Sequence, residues 1–291
     1  MTAAVEAFGD RLAAAFDERG RLCVGIDPHA HLLERWGLPV SAEGVRAFGL
    51  KVVEAASGHA AIVKPQVAFF ERFGSAGYAA LEEVLDAARA AGLLVIADVK
   101  RGDIGTSVAA YAEAWLSPGS PLRSDAITVA AYQGVGSLAE PMALAERTGT
   151  GLFVLAATSN PEAADVQRAV VGTGPRAGLT VARAIIEDVH SFNQDQPTHS
   201  FGTVGLVLGA TVDLGDYGID VATAGERTPP LPVLAPGFGH QGARVEDVRR
   251  IFGGLARGVI VSESRGLLGA GPDGLASAVQ RRAEEVRAAD V

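Results

Sequence analysis

The stretch LLVIADVKRGDIGTS, residues 93–107, decides how this chain is read. Its first part, Leu93–Ala97, is a short, unbroken apolar run, the pattern of a strand buried on both faces. Its second part delivers Asp98, Lys100, Arg101 and Asp103 within six positions, then closes on Gly105, Thr106 and Ser107. A buried strand with a charged end offers that charge to whatever space the strand helps to enclose.

Seven further runs share this form: RLCVGID (21–27), AAIVKPQ (60–66), DAITVAA (125–131), GLFVLAAT (151–158), TVGLVLGA (203–210), LPVLAPG (231–237) and GVIVSES (258–264). Each is followed by a polar or Gly-rich turn. Amphipathic helical patterns lie between them, clearest in SAGYAALEEVLDAARAAG (75–92), TVARAIIEDVHSFNQ (180–194) and GLASAVQRRAEEVRAA (274–289). Eight continuous runs alternating with helices are what a (β/α)8 barrel requires. The chain therefore reads as an α/β protein, a TIM barrel with an extra N-terminal helix, forming one domain over residues 1–291. A doubly wound open sheet would place a Gly-rich turn after its first strand. Here that strand ends in GIDPH, and polar residues gather at the ends of several strands. The interval 211–230 is the least regular and reads as a polar excursion after the sixth strand.

Bulk properties narrow the function. The formal net charge of -9 argues against nucleic acid or an anionic membrane as partner, while leaving room for a small phosphorylated ligand in a locally cationic pocket. No stretch approaches the roughly 20 apolar residues that span a bilayer. The first twenty residues carry acidic side chains and read as a helix, not a signal peptide. The single cysteine, Cys23, sits in an apolar run and reads as a small buried hydrophobe. A chain without an intrachain disulfide suits a reducing compartment, so a cytoplasmic location is expected.

The strand ends carry the chemistry. Side chains two apart on an extended strand point the same way, so Asp98 and Lys100 are expected to project together. A lysine flanked by carboxylates keeps its proton and serves as a proton donor or electrostatic clamp. Asp103 lies beyond the strand, and either folds back or reaches a neighbouring subunit. An ion-pair network alone would also account for D-x-K, but other strand ends add Asp27, Lys64, Thr158, Ser159, Asn160, Gln241 and Arg265. A Gly-rich loop after the seventh strand and an arginine after the eighth occupy the place where barrels bind phosphate. Backbone N–H groups from Gly239 to Gly242 can cradle phosphate oxygens, and Arg265 can clamp them. His29 and His31 lack metal-ligand partners at suitable spacing, and Ser159 lacks the G-x-S-x-G elbow of a nucleophilic serine.

The ordered set DVKRGDIGTS (98–107), which follows D-x-K-R-x-D-I-x-x-T with Thr106 one place before the final Ser107, GIDPH, VKPQVAFFERFG, TVAAYQGVGS, ATSNP, PGFGHQG and SESRG resembles the orotidine 5'-phosphate decarboxylase family, in the wording of its longer bacterial branch. The resemblance runs from about residue 22 to about residue 268. It implies a homodimeric (β/α)8 barrel without metal or organic cofactor, converting orotidine 5'-monophosphate to uridine 5'-monophosphate and CO2 in de novo pyrimidine biosynthesis. By motif, Asp27 and Lys64 contact ribose hydroxyls, with Lys64 steadying Asp98. Lys100 protonates C6 of the pyrimidine, and Asp103 and Thr106 enter the partner's site. Ser159 bonds the pyrimidine edge. Gln241 and Arg265, with N–H groups of the Gly239–Gly242 loop, hold the phosphate. Two departures from the pattern are the length of 211–230 and Ala131 in place of a proline. Hexulose-phosphate synthases and ketogulonate-phosphate decarboxylases share a D/E-x-K-x-x-D core but use Mg2+. Lys64 stands where that chemistry prefers a carboxylate. A catalytically dead, nucleotide-binding barrel would have no reason to keep Lys64, Asp98, Lys100 and Asp103 together.

Overall fold

Each of the eight apolar runs forms a strand: β1 (Leu22–Ile26), β2 (Ile62–Pro65), β3 (Leu94–Arg101), β4 (Ala126–Val129), β5 (Gly151–Ala157), β6 (Val204–Leu208), β7 (Val233–Pro236) and β8 (Val259–Glu263). The computed structural model describes residues 5–196, 199–224 and 228–289. Every strand pairs in parallel with its sequence neighbour, and β8 returns to β1 with Leu22 opposite Val261, closing the barrel. The helices are α1 (Phe8–Arg19), α2 (Ala30–Arg35), α3 (Ala42–Ala56), α4 (Ala68–Glu71), α5 (Gly74–Ala90), α6 (Gly105–Leu116), α7 (Ala139–Thr148), α8 (Ala164–Gln167), α9 (Val181–Gln194), α10 (Val248–Phe252), α11 (Arg265–Leu268) and α12 (Gly271–Ala288).

The strands are apolar throughout because both faces are covered. The larger buried cluster joins outward-facing residues such as Val24, Val63 and Val95 to the helices, including Phe48 and Val52 of α3 and Val84 of α5. A second cluster fills the barrel itself: Cys23, Ile62, Ile96, Ala126, Phe153, Val207, Leu234 and Ile260, one from each strand. The same cluster contains Phe8, Leu12 and Phe16 of α1, so this helix stops the amino-terminal end of the barrel. Phe8 meets Phe153 edge-on, with ring centroids 6.0 Å apart. Arg11 donates to the Gly149 carbonyl at 3.0 Å and pairs with Asp125, which accepts from the Val95 N–H at 2.8 Å. Burial of each large α1 side chain contributes roughly 1.5–3 kcal/mol.

The inward layer sets the register of the site. Side chains on one face of a strand recur every second residue. One step above Ile62, Ile96, Ala126, Leu234 and Ile260 stand Lys64, Asp98, Thr128, Pro236 and Ser262. Apolar packing at the bottom thus aims these residues at the carboxyl-terminal mouth.

The helical patterns read from sequence lie where they were expected. Gly92 follows α5 with φ +68°, a backbone setting that favours glycine, and α9 starts behind Thr180, whose side chain accepts from the Arg183 N–H at 3.1 Å. The 211–230 excursion packs onto the barrel through Leu214, Tyr217 and Ile219, all buried. Thr180 Oγ1 donates to the Tyr217 carbonyl at 2.5 Å. Residues 225–227 of this interval lie outside the described residues, as do 1–4 of the N-terminal helix region.

Candidate active site

Asp98 is the hub. It is 7% exposed and stands on β3 between two lysines. Its Oδ2 accepts from Lys64 Nζ at 2.9 Å and from Gln66 Nε2 at 3.1 Å. Its Oδ1 accepts from Lys100 Nζ at 2.5 Å and from Thr128 Oγ1 at 2.8 Å. Four donors, from β2 and the residue just after it, β3 and β4, therefore fix one carboxylate. Burial opposes its ionisation, but the charges of Lys64 and Lys100 and their hydrogen bonds outweigh this and hold Asp98 far below the usual carboxylate range. Burial likewise pulls Lys64 down, yet Asp98 and Asp27 more than offset it and raise the ammonium above the usual lysine range. Both groups are charged at neutral pH. Lys64 is buried, whereas the Lys100 side chain is 46% exposed and presents its ammonium to the mouth.

Lys100 reaches this position by a route that strand alternation does not describe. Its φ is +48°, in the left-handed region, and it is the one non-glycine residue with positive φ among the described residues. The β3–β4 register shifts between Ala97 and Arg101. The Lys100 N–H donates to Thr128 Oγ1 at 3.0 Å, tying the irregular backbone to the same threonine that holds Asp98. Such a conformation costs of order 1–3 kcal/mol, and here it is spent on aiming an ammonium group. Asp98 and Lys100 do converge as expected, but through a bulge and not through extended geometry.

Two adjoining cavities open from this hub. The larger, of 390 Å³, is bounded by Lys64, Asp98, Lys100, Thr128, Ser159 and Asn160, among others. The smaller, of 120 Å³, is bounded by Asp27, Lys64, Gln241, Ser262, Glu263 and Arg265, among others. Lys64 and Pro236 line both, so the two chambers adjoin at one mouth. In the smaller chamber, Asp27 Oδ1 and Ser264 Oγ are buried with no hydrogen-bond partner among the described residues. Buried polar atoms are nearly always satisfied, so two orphans in one cavity point to a ligand that would satisfy them.

Several residues singled out in the sequence behave differently. Asp103 makes no ion pair with Lys100 among the described residues; its Oδ1 accepts from the Ile104 N–H at 2.9 Å. The lysine is therefore flanked by one carboxylate within its own chain, not two. Thr106 is exposed at the start of α6 and lines neither chamber. Of the Gly239–Gly242 N–H groups expected to cradle phosphate, two are used inside the turn: the Gly239 N–H donates to the Ala243 carbonyl at 3.1 Å and the Gly242 N–H to the Gly239 carbonyl at 2.9 Å. Gln241 and Arg265 line the smaller chamber. Gln66 and Thr128 were not singled out as site residues, although VKPQVAFFERFG and TVAAYQGVGS contain them, since neither carries a charge that stands out at a strand end. Counting alternate residues upward from the apolar layer would have found Thr128. Cys23 is fully buried, and burial pushes its thiol up to about 12, so it is an inert core residue. No cluster of three or more His, Cys, Asp or Glu side chains suited to a metal occurs among the described residues. A larger cleft of 750 Å³, between the 211–221 stretch and the loop at Gln241–Ala243, shares Gln241 with the smaller chamber but is lined by none of Lys64, Asp98 and Lys100.

A family model described as the orotidine 5'-phosphate decarboxylase / HUMPS family matches residues 20–279. The chain belongs to that family. Among curated relatives, the orotidine 5'-phosphate decarboxylase of Streptomyces coelicolor is 49% identical over 288 residues, covering 98% of this chain and 99% of the relative. That of Salinispora arenicola is 50% identical over 288 residues, with the same coverage. A solved Streptomyces avermitilis structure assigned to the same enzyme superposes with a TM-score of 0.88 at 49% identity, covering 98% of this chain and 96% of the other. The Leishmania donovani OMP decarboxylase superposes with a TM-score of 0.74 at 30% identity, covering 97% and 98%. This family member is thus an enzyme of the orotidine-5'-phosphate decarboxylase kind, a carboxy-lyase on a TIM barrel.

Proposed function

We propose that the protein decarboxylates orotidine 5'-monophosphate to uridine 5'-monophosphate and CO2, as a step of pyrimidine biosynthesis, with no metal or organic cofactor. The observation that carries the reading is the Lys64–Asp98–Lys100 line, in which one buried carboxylate holds two ammonium groups and one of these faces the mouth. The two chambers suit the two ends of a nucleotide. The pyrimidine occupies the larger chamber, with Ser159 at its edge. The phosphate occupies the smaller, with Gln241 and Arg265. The ribose lies between them, where Lys64 borders both and Asp27 offers an unsatisfied oxygen.

In this arrangement the bond between C6 and its carboxylate breaks, the electron pair stays on C6, and CO2 leaves. A proton from the Lys100 ammonium then forms the new C6–H bond, and the amine regains a proton from water. Positive charge preorganised where negative charge develops is the main source of acceleration. Asp98, fixed as an anion, disfavours a second carboxylate beside it; like charges about 4 Å apart repel by about 4 kcal/mol at an effective dielectric of 20. Loss of CO2 relieves that repulsion.

The active form in this reading is a homodimer in the cytoplasm, each chain a single domain over residues 1–291, with Asp103 and Thr106 completing the partner's site near the ribose. Three observations support the dimer: Asp103 does not turn back to Lys100, Thr106 is exposed, and Ile104 and Tyr111 of the same segment expose large hydrophobic side chains. No helix among the described residues is long and apolar enough to cross a membrane.

Replacing Lys100 tests the chemistry. Lys100→Ala is expected to lose at least about a thousandfold in kcat while unfolding at a similar urea concentration. Retention of most of the turnover would remove Lys100 from the proton-donor role.

A further inference from the structure

The smaller chamber contains a group that is out of place at an anion site. Glu263, the last residue of β8, lines it and is 7% exposed. The carboxylate is wedged between two backbone segments. A Cβ added at Gly239 would lie 2.3 Å from Glu263 Oε1, and one added at Gly266 would lie at the same distance. Gly239 belongs to the turn that carries Gln241, and Gly266 follows Arg265 in α11. With the carboxylate where it is, a side chain at either position would displace it. Glu263 therefore sets the spacing between the two segments whose side chains face the chamber.

Its charge is answered from outside. Arg282 of α12 donates from Nε to Glu263 Oε2 at 2.6 Å, and its own Nη1 donates to Glu285 at 2.8 Å. The Arg282 side chain is 15% exposed. A buried carboxylate left without this partner would face the chamber as a full negative charge, in a medium that screens it poorly.

We propose that the Glu263–Arg282 pair is a positioning device for the phosphate end of the substrate: Glu263 spaces the Gly239–Gln241 turn from Arg265, and Arg282 cancels a carboxylate charge that would otherwise repel the phosphate. The proposal rests on the reading that the smaller chamber takes the phosphate. Neither residue touches the reacting atoms, and the effect falls on binding of the phosphate end.

The test compares orotidine 5'-monophosphate with orotidine, which lacks the phosphate. Arg282→Met is expected to raise KM for the nucleotide at least about tenfold, with kcat within about twofold and kcat/KM for orotidine unchanged. Glu263→Gln keeps the shape of the wedge and removes its charge, so KM for the nucleotide is expected to stay level or fall. Glu263→Gln combined with Arg282→Met is expected to recover most of the lost affinity. Equal losses on both substrates, an unchanged KM in Arg282→Met, or no recovery in the double variant would overturn the proposal. If Arg282→Met does not fold, Glu263→Gln decides alone, and a higher KM for the nucleotide contradicts the proposal. Failure of the unmodified enzyme to turn over the nucleotide would instead sink the underlying reading.

Discussion

Asp98 shows how much one residue can organise. Two ammonium groups, an amide and a hydroxyl converge on its carboxylate, so its ionisation is locked and its position is fixed. The charged state has a consequence for stability. The Asp98 carboxyl is depressed, so its contribution is present above the unfolded value of about 3.9 and is lost as pH falls below it. The Lys64 ammonium is raised, so its contribution is present below the unfolded value of about 10.4 and is lost as pH rises through the folded value above that. The stability difference between the parent enzyme and Asp98→Asn is therefore expected to be flat from about pH 5 to about pH 9 and to shrink below about pH 4. Urea midpoints measured across that range check this; a difference that vanishes near neutrality would contradict the locked carboxylate. The sequence announced Asp98, Lys64 and Lys100 because charge at the end of a buried run is conspicuous. It did not announce Gln66 or Thr128, whose importance depends on which strands become neighbours. Nor did it show the positive φ of Lys100, which exists because the β3–β4 register shifts, a property of the pair and not of either strand.

At the scale of elements, the apolar runs told nearly everything about the strands, since burial on both faces leaves no alternative pattern for them to follow. The long amphipathic helices α1, α5, α9 and α12 were legible from periodicity, whereas short ones such as α2, α4, α8, α10 and α11 are too brief to show a period. What a helix packs against was not. α1 is visible in the sequence as an amphipathic segment, yet its work is to stop the bottom of the barrel with Phe8, Leu12 and Phe16. That contact joins residues far apart in the chain, and no local signal encodes it. The Gly-rich loop after β7 was only partly legible for a related reason. Glycines allow a phosphate cradle, but they also allow the tight turn seen here, in which the Gly239 and Gly242 N–H groups are used internally. α1 lies at the opposite end of the barrel from the lysine hub, so stability and catalysis should separate there. Leu12→Ala is expected to cost about 2–5 kcal/mol of stability and to leave KM near that of the parent at temperatures where the variant is folded. Calorimetry and steady-state kinetics on the same preparation test this; an unchanged melting temperature would contradict the role of α1 as a stopper.

At the scale of the whole molecule, closure of the barrel turns eight separate strand ends into one site. Polar residues from β1, β2, β3, β4, β5, β7 and β8 or the turns just after them, scattered from Asp27 to Arg265, meet around two adjoining chambers. The barrel was legible because the count and order of the runs specify it. The assembly beyond one chain was approached only through Asp103 and Thr106, which do not complete the site of their own chain. If each site borrows them across a two-fold interface, inactive Asp98→Ala and Asp103→Ala chains are expected to complement. Mixed and re-equilibrated, they should recover about a quarter of the parent turnover, because about half the dimers are mixed and one of the two sites in each is intact. No recovery after subunit exchange would confine the site to a single chain.

The most direct test of the central claim is the loss of orotate absorbance when the purified protein meets orotidine 5'-monophosphate in the presence of EDTA. The account predicts steady decay to uridine 5'-monophosphate at a rate that the chelator does not change. No decay by folded protein, or decay that requires added Mg2+, would contradict it.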